Sequence, residues 1–270
     1  QRVAICDQLE DPKLAKGIVK RGVTELVTPG ITLNDKILEQ NQYNYLCSVW
    51  YAEPNRIGIA MLELSTGDFF CCTCDSNRLE KLLFSIKPSE IVLPKRDYRT
   101  FQQSFGESFY TFRLEDYLFE PEFAKNKLLQ HFKISSLKGF GLEEEKNGTV
   151  AAGILLHYLS ENEQRQIGHL TKLYQFQDDQ YVALDKFTIR NLEILDSQYT
   201  DGKSLYDVFD HTQTPMGARL LRQWLVFPLR NVEEIEKRQA CVESLVQDSA
   251  CRIELAKKLK LVGDLERSAA

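Results

Sequence analysis

The sequence predicts an α/β region followed by an all-α region: a mixed β-sheet with flanking helices, then a run of amphipathic helices. Three observations predict it. Between residues 45 and 73, three strand-like runs are separated by the turn signals Pro54-Asn55 and Thr66-Gly67. From 77 to 160, helical and strand patterns alternate, the order that lays helices on a sheet. Beyond residue 184, apolar residues recur at helical spacing.

Composition bounds the rest. At 270 residues the chain has material for one large domain or two ordinary ones. A net charge of −5 excludes a nucleic-acid binder that works by bulk basicity, although local basic surfaces remain open. No apolar run reaches the ~20 residues of a membrane span, and no signal-peptide pattern opens the chain. The seven cysteines are odd in number, lack paired spacing and sit in apolar segments, as expected of free thiols in a reducing, cytoplasmic setting. Gln1-Arg2 leads straight into a strand-like run, and GDLERSAA is a charged helical pattern without a stop signal. We therefore expect a piece of a longer protein.

In chain order, 3–9 reads as a strand. Asp11 and Pro12 are cap and first residue of a helix through 21, and 23–27 is a second strand closed by Thr28-Pro29-Gly30. So thin a unit has little to bury and reads as the tail of a larger domain. Residues 34–44 are polar and aperiodic, as in a linker. Strands follow at 45–52, 57–64 and 69–73, a helix at 77–86, strands at 90–93 and 109–114, and helices at 122–132 and 149–160, the last apolar on most sides. The stretch 164–180 is polar, with Leu170, Leu173, Tyr174 and Phe176 as sparse anchors, and a domain boundary is placed near its start. A helix at 186–197 places Leu184, Phe187, Leu192 and Leu195 at helical spacing, and Asp201-Gly202 breaks the pattern. Thr214-Pro215 opens another helix as N-cap and N1, with Met216, Leu220, Leu221, Trp224 and Leu225 on one side and Arg219 and Arg222 off it. It stops before Pro228, and helices at 231–246 and 252–261 follow.

Several of these stretches resemble one family. LDxxTxRNLEI followed by SLxxVxDxTxTPMGxRLLRxWLxxPL is similar to the start of the helical core, or lever, of the MutS proteins of bacterial DNA mismatch repair, and PLRNVEEIEKRQACVESLVQD with GDLER resembles its continuation. CDQxEDPxxxKGxVKRxVxxxVTPG resembles the end of the family's mismatch-recognition domain. IGIAMLELSTGDF, KPSEIVLP, LKGFGL and AAGILLHYL resemble pieces of its connector domain. The strand and helix order at 45–163 is compatible with a ribonuclease H-like layout, which is also the connector's fold in that family. The resemblance implies 1–31 as the tail of the mismatch-recognition domain, 32–44 as a linker, 45–163 as the connector and 164–270 as the start of the helical core. It also implies a parent that binds mismatched double-stranded DNA as a homodimer, hydrolyses ATP with Mg2+ in a C-terminal domain and recruits MutL, partly through the connector. The ATPase motifs and the aromatic mismatch-wedging loop are not in this sequence. The resemblance therefore implies no catalytic, cofactor-binding or metal-binding residues here.

Other chemistries leave weaker marks. Gly17 to Thr24 has the glycine spacing of a P-loop but carries Val23 where that motif needs lysine, so we read a helix ending at Gly22. A ribonuclease H-like sheet invites a two-metal nuclease built on Glu63 with Asp68, Asp75, Glu115 or Asp116, but Glu63 alternates with Leu62 and Leu64 and is expected to face solvent. Cys71 and Cys74 have zinc-ligand spacing without a second pair, and on a strand they face opposite sides, Cys72 sharing a face with Cys74. The histidines at 131, 157, 169 and 211 lack ligand spacing. His157 reads as a hydrogen-bonded core or boundary residue, and His211 as part of the turn leading to the Thr214 cap. Arg219, Arg222 and Arg230 form a stretch of positive charge without an intervening acid. They are read as surface residues, ion-paired to Glu233 and Glu234 or making weak DNA or interdomain contacts. Three functions are compatible with the sequence: a non-catalytic middle segment of a mismatch-repair ATPase, as the resemblance implies, a metal-dependent nuclease, and a stand-alone protein-interaction module.

Overall fold

The computed structural model describes residues 2–8, 10, 17–31, 38–162, 167–177 and 179–268. They fall into two compact units: Gln1–Ile37, Asn44–Leu79 and Pro88–Phe176 form the first, and Leu38–Tyr43, Glu80–Lys87 and Gln177–Ala270 the second.

The first unit opens with β1 (Val3–Gln8) and β2 (Arg21–Val27), an antiparallel pair with a register break between Ile5 and Cys6. Every residue of β1 is exposed. Residues 11–16 of the expected helix lie outside the described residues, but the chain is not helical from Gly17 onward. Gly22, expected to end that helix, pairs instead with Asp7 inside β2. A strand partner outside the local window overrode the helical pattern.

The main sheet begins with β3 (Tyr45–Glu53), β4 (Arg56–Glu63) and β5 (Asp68–Cys74), an antiparallel meander with the expected turns. Helix α1 (Ser76–Ile86) leads to β6 (Glu90–Pro94), which lies parallel to β3. Helix α2 (Tyr98–Phe105) then leads to β7 (Thr111–Leu114), parallel to β6. A parallel neighbour cannot be reached through a tight hairpin, so α2 supplies the crossover, with Phe101 and Phe105 buried one turn apart. The sequence reading lacked this helix because its eight residues carry only those two buried anchors among polar ones. After α3 (Pro121–Phe132) and α4 (Lys146–Glu161), the short β8 (Tyr174–Gln175) adds to β5 and completes a six-stranded mixed sheet of order β7-β6-β3-β4-β5-β8.

Helix α4 crosses β3, β4 and β5, and α3 packs on α4. Residues 148–159 of α4 are all buried, which explains its lack of a polar face. Its close approach depends on missing side chains. A Cβ at Gly58 of β4 would stand 2.1 Å from the Asn147 carbonyl oxygen, and one at Gly153 would stand 2.3 Å from that of Ala124. Residues 167–176, placed by composition with the helical region, belong to this unit. Leu170 and Leu173 join its core, while His131 and His169 bond the Leu170 and Leu64 carbonyls, both at 2.8 Å.

The second unit contains α5 (Lys186–Asn191), α6 (Leu205–Phe209), α7 (Pro215–Val226), α8 (Val232–Gln247), α9 (Ser249–Leu259) and α10 (Leu265–Ser268), with residues 80–86 of α1. One buried cluster among its described residues joins Ile189, Ile194, Leu195, Tyr206 and Val226. The expected helix 186–197 stops at Asn191. Glu193 adopts a φ of 48°, Ile194 N–H turns back to the Ile189 carbonyl at 3.0 Å, and the Glu193 and Ile194 carbonyls accept from Leu205 and Tyr206. Phe187 and Leu192, expected on the buried side, are exposed, and Ile189 and Ile194 take their place. Helix α6 arises from a capping box in which Ser204 and Asp207 bond each other's backbone N–H. Thr214 caps α7 as expected, accepting from Gly217 N–H at 3.1 Å. Helices α8 and α9 pack on each other, and Val232, Val242, Val246 and Ile253 remain exposed. Among the described residues, no helix is long and apolar enough to cross a membrane.

Candidate functional site

Arg219 was expected at the surface. It is instead fully buried and is the largest such side chain among the described residues. Its position on α7 points its stem away from the exposed Leu220 and Trp224, toward the turn before α10 and the stretch 38–43. All five N–H donors of its guanidinium are used. Nη1 and Nη2 each bond one oxygen of Asp264 at 2.7 Å, a bidentate fork. Nε and Nη2 bond Glu266 Oε2 at 3.2 and 2.6 Å, and Nη1 also bonds the Gln40 carbonyl at 2.8 Å. The Tyr43 ring lies 5.4 Å from the guanidinium carbon. Burial works against the charge, but the bonds to Asp264 and Glu266 outweigh it and raise the Arg219 pKa. The bond to Arg219 in turn holds the Asp264 carboxyl below the usual carboxylate range. Arg267 lies beside this cluster and bonds the Glu39 and Gln42 carbonyls at 3.3 and 2.9 Å.

The other two arginines behave differently. Arg222 is partly buried, 4.0 Å from Asp196 and with its guanidinium 5.4 Å from the Tyr206 ring centre. Burial and a 2.9 Å bond to Asp210 push the Tyr206 phenol up to about 12. Arg230 is exposed. The expected pairing of these arginines with Glu234 is replaced by a 2.6 Å pair between Glu234 and Lys237. The three positions therefore do not form one basic face. A cleft of about 590 Å³ in the same unit is lined by Phe84, Lys87, Lys186, Phe187, Arg190 and Asp196 among others. Its lysines are engaged: Lys87 with Asp196, and Lys186 with Glu80 at 2.5 Å and the Phe84 and Phe187 rings.

The carboxylates of the nuclease reading are spread through the first unit. Glu63, expected to face solvent, is buried, because both faces of β4 are covered and alternation says nothing of exposure there. It accepts from Ser65 Oγ at 2.7 Å, Thr66 N at 2.6 Å and Asn44 N at 3.3 Å. Its cross-strand partner Asp68 accepts from the Tyr45 and Tyr174 hydroxyls at 2.6 and 3.0 Å. Asp75 bonds Arg78 N–H at 2.8 Å, Glu115 pairs with Lys95, and Asp116 accepts from Arg96 N–H at 3.0 Å. Among the described residues, no three His, Cys, Asp or Glu side chains are grouped as metal ligands would be. Cys71 faces the α4 side of the sheet as part of the main core. Burial pushes the Cys47 and Cys71 thiols up, and a hydrogen bond to Cys72 does so for Cys74. His157 is buried as expected, but its Nδ1 lacks a hydrogen-bond partner among the described residues. Burial, reinforced by Lys127, lowers its pKa from 6.5. Asp210 bonds Thr212 N–H and Oγ at 3.1 and 2.6 Å, forming the turn in which His211 sits.

Among the described residues, Glu90, Asp97 and Glu145 are buried carboxylates that the sequence did not single out. Glu90, at the start of β6, is fully buried. It accepts from Tyr158 Oη at 2.6 Å, Gly30 N at 3.0 Å and Thr28 Oγ1, tying the end of the first segment to the main sheet and α4. Arg2 supports the same place, bonding Asn162 and lying 4.4 Å over the Phe112 ring. The available signal was an acid opening the otherwise apolar strand EIVLP.

Comparison with known proteins gives three family matches in chain order: MutS domain I at residues 1–36, MutS domain II at 44–171 and MutS domain III at 187–270. The DNA mismatch repair protein MutS of Cytophaga hutchinsonii is 46% identical over 266 residues, covering 98% of this chain and 31% of the relative. MutS of Flavobacterium johnsoniae is also 46% identical over 266 residues, covering 98% of this chain and 30% of the relative. MutS of Phocaeicola vulgatus is 45% identical over 267 residues, covering 99% of this chain and 31% of the relative. The chain thus spans about a third of the length of the curated relatives it matches.

Proposed function

The chain belongs to the MutS family, carrying sequence of its domains I, II and III, and from that premise we propose that it is the non-catalytic middle of a mismatch-repair ATPase. The observation that carries the proposal is the order of the three matches, together with 46% identity over 98% of the chain. In this reading 1–31 is the tail of the mismatch-recognition domain. The mixed sheet from Tyr45 to β8 is a ribonuclease H-like connector, and the helices from 177 onward are the base of the lever. The exposed apolar residues of α8 and α9 pack against helices of the parent protein. The connector passes signals between the mismatch-binding and ATPase domains and takes part in MutL recognition. Arg222 and Arg230 are the members of the arginine stretch open to a DNA or interdomain contact. The parent is a cytoplasmic homodimer that binds mismatched double-stranded DNA and uses ATP with Mg2+. Among the described residues, the nuclease reading has no carboxylate cluster to support it. The stand-alone module is at odds with relatives that carry this segment as 31% of a longer protein.

Fluorescence anisotropy and a MutL capture assay test the proposal together. We expect the 270-residue chain to capture MutL, to hydrolyse neither ATP nor DNA, and to bind mismatched and matched duplexes alike. Tight mismatch-selective binding, Mg2+-dependent DNA cleavage abolished by Glu63→Gln, or failure to capture MutL would each contradict the part it addresses.

A further inference from the structure

The stretch 38–43 lies between the segments matched by domains I and II, yet it belongs to the compact helical unit and not to the sheet. Polar and aperiodic, it has the sequence of a tether. The side chains around it describe something else. Arg219 bonds the Gln40 carbonyl and packs near Tyr43, while Arg267 bonds the Glu39 and Gln42 carbonyls. Three of its carbonyls are thereby taken by two guanidinium groups. Leu38 is buried.

We propose that Arg219 and Arg267 are positioning residues that anchor the junction between domains I and II to the base of the helical domain, so that the junction moves with α7 and α10. Identifying the stretch as that junction rests on the family reading; the anchor itself does not. Three features make it more than incidental packing. The guanidinium of Arg219 is held from the far side by Asp264 and Glu266, so its direction toward Gln40 is set before the stretch docks. The hydrogen-bond acceptors on the stretch are backbone carbonyls, so these bonds fix the path of the chain, and the Tyr43 ring adds a side-chain contact. The cations Arg219 and Arg267 are balanced by the anions Asp264 and Glu266, so docking needs no further charge. Tyr43 is followed directly by Asn44, whose amide side chain bonds the Pro29 carbonyl at 3.0 Å, and then by β3.

The test is backbone 15N relaxation on the whole 270-residue chain, comparing the parent sequence with Arg219→Lys and Arg267→Gln. Lysine at 219 keeps the charge beside Asp264 and Glu266 but loses the planar fork that also reaches Gln40. We expect amides 39–43 of the parent sequence to show order parameters near 0.85, as in rigid backbone, and those of either variant to fall below about 0.6. Amides of β3–β5 should keep their values. Low order parameters at 39–43 in the parent sequence, or unchanged values in both variants, overturn the anchor. If Arg219→Lys unravels α7, Arg267→Gln decides alone, since its Nη2 contacts are to the stretch itself. MutL capture and duplex binding read the family role and are independent of these order parameters, so the two proposals fail separately.

Discussion

His157 shows how burial converts one side chain into a pH dependence. Its ring meets Phe123 edge-on at 5.2 Å, Lys127 faces it from α3, and Glu161 follows on its own helix. Burial and Lys127 both disfavour the imidazolium, while Glu161 works weakly the other way. The folded pKa lies below 6.5, the unfolded value, so the unfolded chain binds the extra proton first. This contribution is fully present above pH about 6.5 and is lost as pH falls through the window beneath it. Thermal melting of the first unit should accordingly drop between pH 7.5 and 5.5, and His157→Leu should flatten that slope. An unchanged slope in the variant would show that another group sets it. Glu90 makes the related point for a carboxylate: with three donors around it, a buried acid can hold two segments together without a cation in direct contact.

At the scale of elements, close backbone approach distinguishes α4 from the other helices. Gly153 sits where any Cβ meets the backbone of Ala124, a neighbour that cannot rotate away. Gly153→Ala should cost about 1–3 kcal/mol in urea unfolding of the first unit. Gly139→Ala has nothing within 4 Å of its Cβ and serves as the neutral control. Equal midpoints for the two variants would mean that α3 shifts at no cost. Caps and breakers made most elements legible. Thr214-Pro215 opens α7, and the turn signals delimit the meander. Periodicity misled at 186–197, because α5 is ended by partners on α6 that no local window contains.

The two units of the whole molecule differ in how much they bury. Among the described residues, the first has an extensive core under α4, whereas in the second α8 and α9 have no buried residue. Amide hydrogen exchange should therefore be slowest in β3, β4 and α4 and fastest, within helices, in α8 and α9. Uniform strong protection across both units would refute that order. By itself, the sequence determined the family, the succession of sheet region and helical region, the meander, and most helix starts. Those depend on caps, turns and spacing within a few residues, or on a run long enough to be specific. Only the tertiary structure decided that Glu63, Glu90 and Arg219 are buried, that 167–176 completes the sheet unit, and that 38–43 is held down. The bonds responsible join residues far apart in the chain: Arg219 lies 45 residues from Asp264 and 179 from Gln40. A charge is tolerated inside a protein only when such partners arrive, and spacing along the sequence carries no record of their arrival.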